Sequence, residues 1–439
     1  MPAMESVSVL LLSNTGSRYE KPEQYGIAHF LEHMVFKGTK KYPDAQSLAE
    51  VVDGVGADFN AFTGKEYTGY YVKSASRHLE LALDVVSEML MMPRLRQADI
   101  DREKGVILEE INMYRDTPAR HIGNLFEQMT YQGTGLEHDI IGLPETVTAL
   151  KTADFKSFLQ EWYGLPNMLL IVAGDERVVG DQVVRSAKGG ARRSADSRRS
   201  TTSLLTKTTS LLTKIELAFN KGQQERIQEK VAVRTQLEDQ PYGTNRLHVE
   251  HKPTEQAHLV LGWPGLSRHD QQRHALSLLS IILGGNMSSR LFSEVREKRG
   301  LAYYVSTDID LYHSRGNFGA SAGVDTKRIE EAVTVILAEF DQLAAGKKPI
   351  TQQELDRAKE YTAGKMALAY EDSLSVAQFY GMKQLLTDQI ESPDEVLAKV
   401  RAVELEEVQQ LVQQLVQPEE VRLALIGPYE DQEKFAKLI

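Results

Sequence analysis

His29 and His33 stand four residues apart, with Glu32 between them, in the run Gly26-Ile27-Ala28-His29-Phe30-Leu31-Glu32-His33-Met34-Val35-Phe36-Lys37-Gly38. The run is flanked by glycines and apolar at helical spacing, so it reads as one buried helix with both imidazoles on one face. Two imidazoles so placed can grip one zinc ion. Glu32, three residues after His29, projects to the same side, where a carboxylate can take a proton from a metal-bound water. These are the parts of a zinc hydrolase. The competing reading is a helix whose histidines only pack or hydrogen-bond, and a third ligand has to separate the two.

The rest of the composition narrows the field. The chain has 439 residues, 41% hydrophobic and 26% charged, which is globular and long enough for two or three domains. A net charge of −11 argues against nucleic acid or an anionic membrane surface as the main partner. There is no cysteine, so any metal must sit on His, Asp or Glu, and thiol nucleophiles and disulfides are excluded. The N-terminus has an acid and no basic stretch ahead of its apolar run, and no apolar run approaches the ~20 residues that span a bilayer. The expectation is a soluble cytoplasmic protein without a membrane partner.

The elements that must position the motif come in two similar sets. Val7 to Leu12 reads as a strand, followed by a turn and the motif helix. Then come a helix near Ala45 to Val55, a strand pair through Ala57 to Val72, an amphipathic helix from Arg77 to Met92 and another over Gln97 to Arg115. Helices around Ala119 to Tyr131 and Thr152 to Tyr163 precede a strand over Met168 to Ala173. The order recurs with a strand at His258 to Trp263, a helix at Gln271 to Leu283, strands at Leu301 to Ser306 and Asn317 to Val324, and a helix from Lys327 to Leu343. Thr351-Gln-Gln-Glu354 is a capping box opening the next helix, and Val421 to Ile426 closes the copy as a strand. This is an internal duplication of an α+β unit. Between the copies, the basic stretch from Arg185 to Arg199 and the repeat of residues 201–207 at 208–214 read as solvated linker.

The duplication acts as an internal control. Ala28 to His33 falls on Arg273-His274-Ala275-Leu276-Ser277-Leu278, so the second copy keeps one His and loses Glu32 and the other His. Asp99 to Lys104 matches Glu354 to Lys359, and in that register Glu103 faces Ala358 and Glu110 faces Lys365. Glu103 and Glu110 thus exist only in the copy that has the histidines. This points to Glu110 as third ligand, with Glu109, about 100° round the helix, as the rival. Glu103 and Glu110 are two turns apart and share a face, so one can bind metal while the other supports it.

With these residues in hand the chain resembles the insulinase/pitrilysin metallopeptidases, in their short-chain, processing-peptidase-like branch. Gly16-Ser-Arg-Tyr-Glu20 and Phe36-Lys-Gly-Thr39 are similar to that family too. The resemblance implies that His29, His33 and Glu110 bind Zn2+, that Glu32 is the general base and that Glu103 supports the ligands. Met287 to Tyr303 resembles the family's substrate-binding element, which implies that Arg296 and Tyr303 hold the substrate backbone and the developing oxyanion, as a guanidinium and a phenol can. Asn60, Ala61 and Phe62, with Thr63, resemble the edge strand to which a peptide substrate adds.

The fold so implied is α+β: two duplicated domains, each a β-sheet with helices packed on one face, forming half of a clamshell. Residues 1–180 form the catalytic zinc-binding domain, 181–244 the polar and basic linker or insertion, and 245–439 the degenerate, substrate-binding copy. The expected reaction is endoproteolysis of unfolded peptides inside a closed chamber. A homodimer with two active sites is the economical arrangement, a heterodimer with a related subunit its variant, and a non-catalytic scaffold of the same fold the alternative. The chain departs from the family in two ways: it opens at what would be the second strand, which implies an uncovered sheet edge or a truncated start, and its linker is long and repetitive.

Overall fold

The computed structural model describes residues 4–179, 184–186, 190–192, 211–220, 226 and 241–439. Among these, two compact units form, one drawn from the stretches 1–109, 140–232 and 368–390, the other from 110–139, 233–367 and 391–439. Of the basic run Arg185 to Arg199 only 185–186 and 190–192 are described, and of the repeat only 211–214; the remainder of both lies outside the described residues. No helix of the described residues is long and apolar enough to cross a membrane.

The first unit is built on β1 (Ser6–Ser13), with α1 (Ile27–Met34) and α2 (Ala45–Asp53) leading into the hairpin β2 (Asp58–Thr63) and β3 (Thr68–Ala75). There follow α3 (Leu79–Met91), α4 (Gln97–Arg115), α5 (Pro118–Thr130), α6 (Pro144–Ala149), α7 (Thr152–Trp162) and β4 (Met168–Gly174). The strands lie in the order β2-β3-β1-β4, all pairs antiparallel, which leaves β2 on an edge. From Val7 onward β1 is buried throughout, because helices cover both of its faces. Val7, Val9 and Leu11 alternate to the side where α3 lies against β1 and β3.

Short elements then follow: α8 (Glu176–Val179), the antiparallel pair β5 (Val184–Ser186) and β6 (Gly190–Arg192), and α9 (211–219). The second unit contains β7 (Leu247–His251), β8 (Gln256–Gly265), α10 (Arg273–Gly284), β9 (Ala302–Leu311), β10 (Gly316–Asp325), α11 (Ile329–Ala344) and α12 (Gln352–Ala369). After α13 (Ser373–Thr387) it is completed by α14 (Pro393–Ala402), α15 (Leu405–Leu415), β11 (Arg422–Gly427) and α16 (Glu433–Ala436). Its sheet runs β9-β10-β8-β11-β7, the strand order of the first sheet with β7 added in parallel beside β11. The duplication legible in the sequence is therefore a duplication of topology. Leu259, Leu261 and Trp263 of β8 join α10, α11 and α15 in one apolar core.

In each unit the main helical layer packs on one face of the sheet, and the opposite face receives a helix from the other half of the chain. Ala377, Leu385 and Leu386 of α13 cover Leu10 and Leu12 of β1. Reciprocally, Ile122, Leu125, Phe126 and Met129 of α5 cover Val260, Ala424 and Ile426 in the second sheet. A helix buries its apolar stripe wherever a complementary face exists, and at about 25 cal/mol per Å² of buried apolar area the receiving sheet need not be its neighbour in sequence.

Two helices fix the motif. The run expected to be one helix is α1 followed by a single 3-10 turn at Val35–Lys37, ended by Gly38 at φ 121°. Ile27, Ala28, Phe30, Leu31 and Met34 are buried, whereas His29, Glu32 and His33 are half-buried along one stripe. The start of α1 depends on Gly26 at φ 96°, where a Cβ would stand 2.6 Å from the Ile141 carbonyl oxygen. The Glu20 carboxylate takes the first amides: Gly26 N–H donates to Oε2 at 2.7 Å and Ala28 N–H to Oε1 at 2.8 Å. An acid at this end also complements the helix dipole. The second helix, α4, has the bounds expected from its sequence, Gln97 to Arg115.

Candidate metal centre and active site

His29, His33 and Glu110 each bring one ligand atom to a cluster in which these atoms lie within 4.8 Å of one another. Among the described residues this is the one such group of three or more His, Asp or Glu side chains. Spacing within α1 places the two imidazoles, whose ring centroids are 4.8 Å apart. Glu110 arrives on α4, a continuous helix of 19 residues, although the division between the compact units falls just before it. Glu109 is exposed and outside the cluster, so the geometry separates the two candidates that the sequence left open.

Glu103, two turns earlier on α4, meets α1 directly. It is 4% exposed; its Oε1 lies 2.9 Å from His33 Nδ1 and its Oε2 2.6 Å from Lys37 Nζ. Burial raises the Glu103 carboxyl, but the bonds from His33 and Lys37 outweigh it and hold the group below the usual carboxylate range. An ionised Glu103 accepts the Nδ1 proton of His33, which leaves Nε2 as the donor atom for a metal. Burial, with the neighbouring His33, lowers His29 to about 3, so its imidazole is neutral, the state in which it ligates. A donor set of two imidazoles and one carboxylate would fit zinc.

Glu32 shares the His29 side of α1. Its Oε2 accepts a hydrogen bond from Thr63 Oγ1 at 2.5 Å, at the end of β2. Deeper lie Tyr70 and Tyr163, whose phenols are 2.9 Å apart. Burial, with lesser contributions that include the negative charge of Glu32, raises Tyr70 well above its ordinary value and Tyr163 to about 12. Both phenols stay protonated behind the site.

The remaining expected residues fall into two groups. Asn60, Ala61 and Phe62 lie on the edge strand β2. Gly64 N–H donates to the Tyr67 carbonyl at the hairpin end, and strand alternation from there turns the backbone groups of Ala61 off the sheet edge. The Ala61 N–H is taken up by Asn60 Oδ1 at 2.8 Å. Phe62 turns to the opposite face, against the α13 cluster. Arg296 and Tyr303 belong to the second unit and meet each other there: the guanidinium stands 5.9 Å from the Tyr303 ring and 4.9 Å from that of Phe292. Tyr303 is 74% exposed. Sequence reasoning named Thr63 only as part of the edge strand, and Lys37 and Glu20 only within family-like runs, and gave none of them a contact at the site. Thr63 and Lys37 directly follow singled-out residues, whereas the bonds from Glu20 span six and eight positions and match no local capping pattern.

Residues 2–143 match the profile described as Insulinase (Peptidase family M16), and residues 149–361 the one described as Peptidase M16 inactive domain. The chain is 32% identical over 433 residues to an uncharacterized zinc protease of Streptomyces coelicolor, covering 99% of this chain and 87% of that protein. It is 33% identical over 428 residues to an uncharacterized zinc protease of Bacillus subtilis, covering 97% and 94%. Among solved structures, a protease from Helicobacter pylori superimposes with a TM-score of 0.80 at 21% identity, covering 97% of this chain and 94% of that one. A peptidase M16 inactive domain from Pseudomonas fluorescens does so with 0.81 at 20%, covering 98% and 95%. At these identities the structures speak for the fold.

Proposed function

Because the chain belongs to the insulinase family of peptidases, we propose that it is a zinc-dependent endopeptidase that cleaves unfolded peptides, with His29, His33 and Glu110 as the ligands. The observation that carries this reading is the convergence of those three side chains beside Glu32, in the copy of the repeat that alone has all four. The inactive-domain profile, matched over residues 149–361, takes in none of the four. Zinc, when bound, polarises the scissile carbonyl and makes water a nucleophile near neutral pH. Glu32 accepts a proton of the attacking water as the C–O bond forms and delivers it to the leaving amine nitrogen as the C–N bond breaks. Glu103 holds His33 in the tautomer that presents Nε2.

The edge of β2 at Asn60, Ala61 and Phe62 suits addition of a substrate strand, because backbone pairing reads an extended conformation more than side chains. To Arg296 and Tyr303 the same reading assigns contact with the substrate backbone and the developing oxyanion. It also assigns a homodimeric assembly, checked by mass in solution. The deciding experiment measures zinc content and cleavage of a mixed library of unstructured peptides for the wild type and Glu32→Gln. About one zinc per chain in both, with cleavage lost by about 10²–10⁴-fold in the variant, supports the reading. A folded chain that binds no zinc overturns it, and zinc without cleavage directs the search to a second, related subunit.

A further inference from the structure

A glutamate that moves protons must present one particular oxygen, yet the terminal torsion of a Glu side chain is broad and nearly two-fold, so helix geometry alone does not choose the oxygen. On β2, Phe59, Ala61 and Thr63 alternate to one face of the strand. Phe59 packs its ring 5.3 Å from that of Phe36, just beyond α1, so this face looks onto the motif. Thr63, the last residue of the strand, is thereby held with its hydroxyl 2.5 Å from Glu32 Oε2. It stands opposite Thr68 in the register, beside the Gly64 N–H that donates to the Tyr67 carbonyl, and the Thr68 hydroxyl donates to the Thr15 carbonyl at 2.8 Å. A β-branched side chain on a paired strand has little freedom at χ1, which makes Thr63 a stiff donor.

We propose that Thr63 is a positioning residue that engages one carboxylate oxygen of Glu32 and so sets which oxygen the general base presents to water. The inference rests on the peptidase reading, and it adds a residue from the strand whose edge is proposed to take the substrate. Thr63→Val keeps shape and strand propensity while removing the donor; Thr63→Ser restores a donor without the methyl.

The experiment compares zinc content, thermal midpoint, kcat and KM of the wild type and both variants on one unstructured peptide, together with zinc-loaded crystal structures of the wild type and Thr63→Val. The expected result is unchanged zinc and midpoint, KM within about twofold, kcat lowered about 10- to 100-fold in Thr63→Val, and recovery to within about threefold in Thr63→Ser. In the crystal, Glu32 of Thr63→Val should leave its single conformer. A kcat within twofold of wild type, a loss confined to KM, or an unmoved Glu32 overturns the proposal. If the wild type binds no zinc, the peptidase reading fails; if it holds zinc but cleaves nothing, a related subunit is sought; in both cases the Glu32 conformer alone decides whether Thr63 positions it.

Discussion

Glu103 touches no reacting atom in the proposed mechanism, yet its loss should be measurable in zinc affinity. The bond between Glu103 Oε1 and His33 Nδ1 is charge-assisted and part-buried, a class worth about 1.5–3 kcal/mol, against about 0.5–1.5 for a neutral acceptor. Glu103→Gln keeps the volume and an acceptor oxygen but loses the charge, both for His33 and for Lys37 at 2.6 Å. The difference, about 1–1.5 kcal/mol, corresponds to roughly five- to tenfold weaker zinc binding. Glu103→Ala removes the acceptor altogether and should reach the 10- to 100-fold range found for groups that support metal-bound histidines. The assay is competition against a chelator of known affinity at fixed pH, with the thermal midpoint of each zinc-free protein measured in parallel. If both variants bind zinc within twofold of wild type while His33→Ala does not bind it, the reasoning is refuted and His33 is oriented by something other than Glu103.

Three further outcomes follow from the same geometry. Glu110→Gln should lose more zinc affinity than any Glu103 variant, whereas Glu109→Gln should bind as the wild type does in the same competition assay. Gly26→Ala forces a Cβ to within 2.6 Å of the Ile141 oxygen at a φ of 96°, and should cost roughly 1–3 kcal/mol, seen as a lower thermal midpoint. Burial raises the Glu354 carboxyl, but hydrogen bonds from Arg290 and Thr351 outweigh it and bring it down to about 2. Its folded value lies below its ordinary 4.5, so this contribution is present above pH 4.5 and is lost as pH falls towards 2. The midpoint difference between wild type and Glu354→Gln should therefore shrink on acidification from pH 6 to pH 3.

What could be read from the sequence is what depends on periodicity and on comparison between the copies. The bounds of α4, the shared face of Glu103 and Glu110, and the correspondence of α1 and α10 between the copies all follow from helical spacing in two related segments. Alternation also located β9, though the strand runs to Leu311 and beyond the expected Ser306, because Ser306, Asp308 and Asp310 interrupt its apolar character. Contacts between distant segments were not legible. An amphipathic pattern identifies α5 and α13 as helices with an apolar stripe, but not which sheet receives that stripe. The last turn of the motif run tightened to a 3-10 turn because Gly38 ends it at a positive φ, and the carboxylate that caps its start comes from Glu20, outside any helix signature.

The exchanged helices bear on how the chain acquires its structure during synthesis. The residues of α13 that cover Leu10 and Leu12 follow more than 350 positions after them, and Ser8 and Ser373 meet across 365. Closing so long a loop is slow, and the first sheet keeps one greasy flank bare in the meantime. Conversely, α5 is complete before the strands that receive it exist. Neither half can finish alone, so a chain interrupted after β4 is a sticky intermediate and not a small stable domain. The arrangement makes the contact of α1 with α4 an early local product, and its final rigidity a late one that waits on the C-terminal half.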